Sequence, residues 1–434
     1  MDQREPDHQQ PASAGGPAHA SRFSSGIEPA TTPSNRRSRL WLAAAVVLAV
    51  GLVAVHLRYP LPYIYRVLVY QDSDFSDIHR FPARPIAASG SPSELVLAPD
   101  PRVVSVLEQH PGVEELGAFL DERETTAFLV AHDGRLVVER YFRGHGRDSL
   151  QNTFSVSKSI TSALVGLAVR DGVLDLDAPI TRLLPELAER DERFAEITVE
   201  HLLDMRSGIR YSSAVEFPFV SSDDALIYYH PDLQSILLER TAIASPPGTF
   251  QYNNYNPPLL GLILRRATGV PAAEYLEREL WRPLGAEGPA GWTVDAEGLE
   301  RMESGFHARA RDLARFGLLY LDRGLVAGRP VLPETWVLES TDLSEHLELD
   351  RYDGRTWAYR AGWWIMPRPD GPSDFCAIGR YGQFIYVSPQ HDAVFVRTSP
   401  GRGSWGDGDW TELFYFAAER LEPGSSDTID PREG

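Results

Sequence analysis

FSVSKSITSALVGLAVRDG, residues Phe154 to Gly172, contains the only lysine of the 434-residue chain; of 42 Lys plus Arg, 42 − 1 = 41 are Arg. The stretch is apolar almost all round and ends at a glycine that suits a helix C-terminus, which predicts a buried central helix. On such a helix Ser155 and Lys158 lie one turn apart and share a face. A serine hydroxyl is a poor nucleophile unless something takes its proton. Arginine cannot do so; a lysine amine can, once burial disfavours its charged form. A surface cation in this chain is otherwise an arginine, so the lone lysine points to chemistry. Taken alone, Ser-x-x-Lys is a weak motif, and Ser155 also reads as a helix N-cap. First-turn N–H groups are free to face a developing oxyanion.

Outward from this helix, TTAFLVAH and RLVVERYF flank Asp133-Gly134 and predict a hairpin. From about 175 to 345 the spacing is mostly helical, in ITVEHLLDM, PPLLGLILRRATG, PAAEYLERELW and RARDLARFGLLYLDRG. Strand patterns return in GWWIM, QFIYVSP and DAVFVRTS, the last two joined by a turn at Pro389–Asp392. DWTELFYFAAERLE reads as a closing helix. The expected fold class is α/β (α+β): an antiparallel sheet built from both ends of the catalytic domain, flanked by helices, with a mostly helical inserted region.

Composition narrows the function. The formal charge is −19, and no basic stripe offsets it, which argues against a nucleic-acid partner. Cys376 is the single cysteine, so neither a disulfide framework nor a cysteine metal site is expected. The 12 histidines show no ligand spacing. No metal or cofactor is expected. No Gly-x-Ser-x-Gly elbow occurs, which sets aside an α/β-hydrolase triad.

Residues 1–39 are rich in Pro, Ser, Ala, Gly and Gln and are expected to be disordered. Leu40–Val55 is a run of sixteen uncharged residues, about 24 Å of helix at ~1.5 Å per residue, just short of a comfortable bilayer span. Arg36, Arg37 and Arg39 precede it and set the N-terminus in the cytoplasm. An uncleaved signal-anchor is the preferred reading; a cleaved signal and a twin-arginine export signal are the alternatives. The catalytic part is expected outside the cytoplasm, membrane-anchored or, after cleavage, exported.

At Ser155-Val156-Ser157-Lys158 the sequence resembles the serine hydrolases of the penicillin-binding and class C β-lactamase type, which share Ser-x-x-Lys. PPGTFQYNN supplies a Tyr-x-Asn motif at Tyr252 and Asn254. ITVEHLLDMRSGI and RARDLARFGLLYL resemble further landmarks, so the likeness runs from about 125 to 420. Arg380-Tyr381-Gly382 aligns with the family's Lys-Thr-Gly, with Arg380 in place of Lys or His and Tyr381 in place of the small hydroxyl residue. Gly382 is kept, as a strand edge near the substrate requires. The Gly-x-x-Gly-Gln form resembles esterase and 6-aminohexanoate-dimer-hydrolase members.

The resemblance implies the roles. Ser155 attacks a carbonyl, and Lys158 and Tyr252 share the base and acid work. Asn254 bonds a substrate amide or Lys158, Arg380 receives a substrate carboxylate or caps a strand end, and the backbone N–H groups of Ser155 and Gln383 hold the oxyanion. Tyr211 is a further candidate for the substrate site. The organisation expected is a tail over 1–39, an anchor over 40–57, a linker over 58–95, the hydrolase domain over 96–423 and a tail over 424–434. The expected function is cleavage of a small-molecule amide or ester. The alternatives are a membrane-tethered penicillin-binding-like sensor and a D-alanyl-D-alanine carboxypeptidase, with a true β-lactamase ranked below them.

Overall fold

The computed structural model describes residues 35–214, 221–343, 350–352, 355–401 and 403–421. The chain divides into two units, Met1–Arg58 and Tyr59–Gly434. Most of the expected N-terminal tail, and the C-terminal tail over 424–434, lie outside the described residues. In the first unit α1 runs from Asn35 to Arg58. It contains the apolar run, yet no helix among the described residues is long and apolar enough to cross a membrane. The uncharged stretch is interrupted by arginine at one end and by His56 and Arg58 at the other, and alanines dilute it.

In the second unit the main strands follow the expected plan. They are β2 (Ala127–His132), β3 (Arg135–Tyr141), β9 (Asp350–Tyr352), β10 (Arg355–Arg360), β11 (Trp363–Met366), β12 (Asp374–Gly379), β13 (Gln383–Ser388) and β14 (Ala393–Thr398). They form one sheet in the order β3-β2-β14-β13-β12-β11-β10-β9. Neighbouring strands are antiparallel throughout, with Ala393 opposite His132 where the two ends of the domain meet. Asp133 and Gly134 take φ of 50° and 68°, the positive angles that a two-residue hairpin turn needs.

Alternate residues of the strands enter two separate cores. Leu129, Ala131, Ile385, Val387, Val394 and Val396 face one side; Phe128, Val130, Phe384, Tyr386 and Phe395 face the other. The first side is covered by the helices Ser157–Arg170, Asn256–Thr268 and Ala310–Leu321, the second by Asp407–Ala418. This is a helix–sheet–helix sandwich. The central helix is buried on every side from Ser157 to Ala168, as its composition predicts.

Three features differ from expectation. The mostly helical middle contributes four strands among the described residues: β5 (Ala290–Thr293), β6 (Phe306–Arg309) and the small hairpin β7 (Leu325–Val326) and β8 (Arg329–Pro330). With β1 (Ala83–Ile86) and β4 (Leu150–Asn152), β5 and β6 form a second sheet, β1-β5-β6-β4; strands of three or four residues and mixed composition carry no clear period. Of residues 58–95, expected as a linker, those from Tyr59 onward belong to the second unit. α2 (Leu61–Tyr70) buries Tyr63 and Val67, and β1 pairs with β5. The sequence signal failed because each element is short and meets distant partners, Arg66 at Tyr229 and Arg84 at Trp292. Lastly, Ser155 is not in the α-helix. It lies in a 3₁₀ turn, Phe154–Val156, and the helix begins at Ser157.

Candidate active site

The turn before the central helix is locked from below. The Thr153 hydroxyl donates to the Phe306 carbonyl at 2.6 Å, and the Phe306 N–H donates to Ser157 Oγ at 3.0 Å. Phe154 has φ 46°, a left-handed angle that a bulky side chain adopts only where packing enforces it. Here its buried ring meets Tyr381 edge-on at 5.4 Å. The result presents Ser155 Oγ 2.9 Å from Lys158 Nζ. Lys158 is only 4 % exposed. Its Nζ also donates to the Glu303 carbonyl at 2.8 Å and sits 5.0 Å from the Tyr252 ring centre, in cation–π range.

The helix carrying Lys158 is fixed in depth by the β10–β11 turn. Ala361 and Gly362 both take positive φ, 43° and 83°. A side chain at Gly362 would come within 2.7 Å of the Lys158 carbonyl oxygen. Ser159 Oγ donates to the Gly362 carbonyl at 2.7 Å, and the Ala361 N–H donates to Asp204 Oδ1 at 2.9 Å. Burial pushes the Asp204 carboxyl up from 3.8 to about 6, against the pull of that N–H and of Arg360.

Tyr252 is half-buried, stacked on Trp364 at 5.8 Å with 19° between planes and edge-on to Tyr359 at 5.8 Å. Asn254 does not take Lys158 as partner. Its Nδ2 donates to Tyr211 Oη at 2.9 Å and Asp224 Oδ1 at 2.8 Å, and its buried Oδ1 has no protein partner among the described residues. Tyr211 donates to the same Asp224 oxygen at 2.5 Å. Burial first, and then the Asp224 charge, hold the Tyr211 phenol far above its ordinary pKa.

The Arg380-Tyr381-Gly382 stretch forms the β12–β13 turn, closed by the Gly382 N–H to the Gly379 carbonyl at 3.1 Å. Arg380 is not free to receive a substrate carboxylate. It forms a two-pronged pair with Asp72, one contact at 2.7 Å, and bonds Ser73 Oγ at 3.0 Å. Tyr381, at φ 66°, donates its hydroxyl to the Ser73 carbonyl at 2.7 Å. Gly382 serves the fold: its φ is 78°, and a Cβ there would lie 2.3 Å from Arg397 Nη1, which donates to the Gly382 carbonyl. The Gln383 side chain is also structural. It donates to the Arg380 and Ser399 carbonyls and accepts the Ser399 N–H.

A cavity of about 600 Å³ opens over Ser155, lined also by Asn254, Asp224, Glu303 and Arg380. Part of its wall is the segment after α1: Val67, Leu68, Gln71, Asp72 and Ser73. None of these is a motif residue. Glu303 was equally invisible in the sequence. Burial pushes its carboxyl up, partly offset by the Ser304 hydroxyl, by Arg301 and by Lys158. Among the described residues no group of three or more His, Cys, Asp or Glu is arranged to hold a metal ion.

A family model described as Beta-lactamase matches residues 115–413. The chain belongs to the β-lactamase family. A 6-aminohexanoate-dimer hydrolase of Paenarthrobacter ureafaciens is 32 % identical over 303 residues, 67 % of this chain and 75 % of that one. Esterase EstB of Burkholderia gladioli is 30 % identical over 173 residues, 36 % of this chain and 44 % of the esterase. Among solved structures, a Bacillus anthracis protein provisionally described as a 6-aminohexanoate-dimer hydrolase superposes with a TM-score of 0.71 at 26 % identity. That match covers 80 % of this chain and 93 % of the other. The protein is a hydrolase of the β-lactamase family, and the resemblance read from Ser155 to Gln383 is to the correct group.

Proposed function

We propose that the protein hydrolyses a small-molecule ester or amide through an acyl-enzyme on Ser155. The observation that carries this reading is the buried Lys158 amine 2.9 Å from the Ser155 hydroxyl at the edge of the cavity. In the free-amine form Lys158 gives a hydrogen to the Glu303 carbonyl, which leaves its lone pair for the Ser155 proton. As Oγ bonds to the substrate carbonyl carbon, that proton passes to Nζ. The oxyanion faces the N–H groups of Ser155 and Gln383. Its collapse breaks the bond to the leaving oxygen or nitrogen. Tyr252 hands that atom a proton and is refilled from Lys158. Water then attacks the acyl carbon, its proton follows the same path in reverse, and the carboxylic acid leaves with Ser155 restored.

The occupied guanidinium of Arg380 supports a substrate without a carboxylate at that end. It speaks against a D-alanyl-D-alanine peptide or a β-lactam as the preferred ligand. The unpartnered Asn254 Oδ1 suits a substrate N–H. The test is acylation and turnover. A fluorophosphonate is expected to label Ser155, and p-nitrophenyl esters to be turned over continuously. A stoichiometric adduct without turnover favours the sensor reading, and no adduct at all removes the serine mechanism. For location, the arginines ahead of Leu40–Val55 support export of the catalytic unit; protease accessibility in intact cells tests it.

A further inference from the structure

α2, LPYIYRVLVY, has a face toward the body and a face toward solvent, and both are apolar. Tyr63 and Val67 are buried. Its single charge, Arg66, is half-buried and donates to the Tyr229 carbonyl at 2.9 Å. On the outer face Leu61, Tyr65, Leu68 and Val69 are 54–63 % exposed, and their i, i+4, i+7, i+8 spacing makes one stripe. Elsewhere in this unit the large apolar side chains exposed to 40–48 % are Val96, Leu97, Val173, Leu325 and Leu338, dispersed over the described residues. A helix apolar all round is normally covered, and a concentrated exposed patch marks an interaction site.

We infer that the outer face of α2 lies on a lipid surface and brings the mouth of the catalytic cavity to it. Two observations select a lipid surface over other occupants. The chain directly before α2, separated from α1 only by Tyr59 and Pro60, contains the sixteen-residue uncharged run with three arginines ahead of it. In its own unit α1 exposes Leu40, Trp41, Leu42, Val46, Val47, Leu48, Val50 and Val53. Apolar helices carrying Tyr and Trp, too short to span, are the kind that lie in the interface plane. Leu68 belongs both to the exposed stripe and to the cavity wall. An acyl ester in the lipid layer would therefore reach Ser155 past Leu68. This last step rests on the hydrolase reading; the docking itself does not.

The test uses the full chain. Cys376 is the single cysteine and is buried, so a thiol-directed, polarity-sensitive fluorophore reports on an introduced site alone. With phosphatidylcholine vesicles, Tyr65→Cys and Val69→Cys are expected to shift to the blue and brighten about twofold or more, while Leu338→Cys is unchanged. No change at 65 and 69 overturns the proposal. A vesicle-free response that grows with protein concentration, with a doubled mass by light scattering, also overturns it and gives the face to a second copy. As a second variant, Leu61→Ser/Tyr65→Ser/Val69→Ser is expected to keep the wild-type rate on a water-soluble ester, which proves folding. It should lose most of any stimulation of ester hydrolysis by vesicles; unchanged stimulation counts against the docking face. Ser155→Ala carrying the probe at 65 should respond as the active enzyme does. That response alongside an active-site serine that never turns over would refute the hydrolase reading and leave the docking intact.

Discussion

The floor and the wall of the cavity are built in opposite ways. At the floor, Ser155 is half-buried, Lys158 and the turns beneath it are buried, the group is joined by bonds of 2.6–3.0 Å, and it sits at the start of the central helix. The wall, from α2 to Ser73, is held at its tip by an exposed ion pair, Arg380 with Asp72, whose side chains are 46 % and 64 % exposed. The Tyr381 hydroxyl adds one bond to it. Chemistry needs the first kind of construction, because a proton moves only between atoms held at hydrogen-bond distance. Admission and choice of substrate tolerate the second. In this chain a residue aligned with the family's substrate-facing motif has been turned to hold the wall.

The comparison can be broken hardest at Lys158. Lys158→Arg keeps a cation at the position but offers no lone pair, so kcat is expected to fall about 10²–10⁴-fold while thermal unfolding stays cooperative. Retained turnover would end the lysine-base mechanism.

A smaller effect tests whether the floor's rigidity has an electrostatic cost. The Asp204 carboxyl has a folded pKa of about 6, above its ordinary 3.8. A raised carboxyl pKa means that stability is full below about 4 and is lost as pH rises through about 6. Asp204→Asn removes that loss and still accepts the Ala361 N–H. The stability of the variant relative to wild type should therefore rise between pH 4 and pH 7 by up to about 3 kcal/mol, read from urea midpoints at several pH values. A difference independent of pH would show that Asp204 is not a buried neutral acid near pH 5.

Tyr252→Phe distinguishes the acid role from packing. The stacked ring on Trp364 is kept and the hydroxyl lost, so kcat should drop about 10²-fold with KM nearly constant, and most for substrates with poor leaving groups. An unchanged kcat for every leaving group would assign Tyr252 to packing.

The smallest expected effect belongs to the wall. Asp72→Ala removes an exposed pair and should cost about 1 kcal/mol or less in stability. It also frees Arg380. Turnover of neutral esters is expected to change a few-fold at most, whereas a carboxylate-bearing ester should gain through a lower KM. No change in that ratio would mean that the pair does not set selectivity.

The sequence reached the floor for a physical reason. Helix burial, the uniqueness of Lys158 and the Tyr252 motif are local patterns, and the strands on both sides of the domain show their period within a few residues. It did not show which groups Arg380 and Asn254 would meet within the chain, because what a polar side chain bonds depends on which distant groups arrive beside it. Arg380 meets Asp72 across 308 positions. Asn254 meets Tyr211 and Asp224 rather than Lys158. Glu303 enters through a main-chain carbonyl, which no side-chain pattern announces.

By itself, then, the sequence determined the sheet joined from both ends, the buried central helix and the pairing of one serine with one lysine, since periodicity and composition act over a single turn or strand. Only the tertiary structure decided that residues 59–86 belong to the catalytic unit, that Arg380 is occupied, and that Ser155 sits in a strained turn ahead of the helix. Those outcomes come from long-range packing, where short elements of weak intrinsic preference take whatever conformation buries their apolar faces and pairs their polar groups.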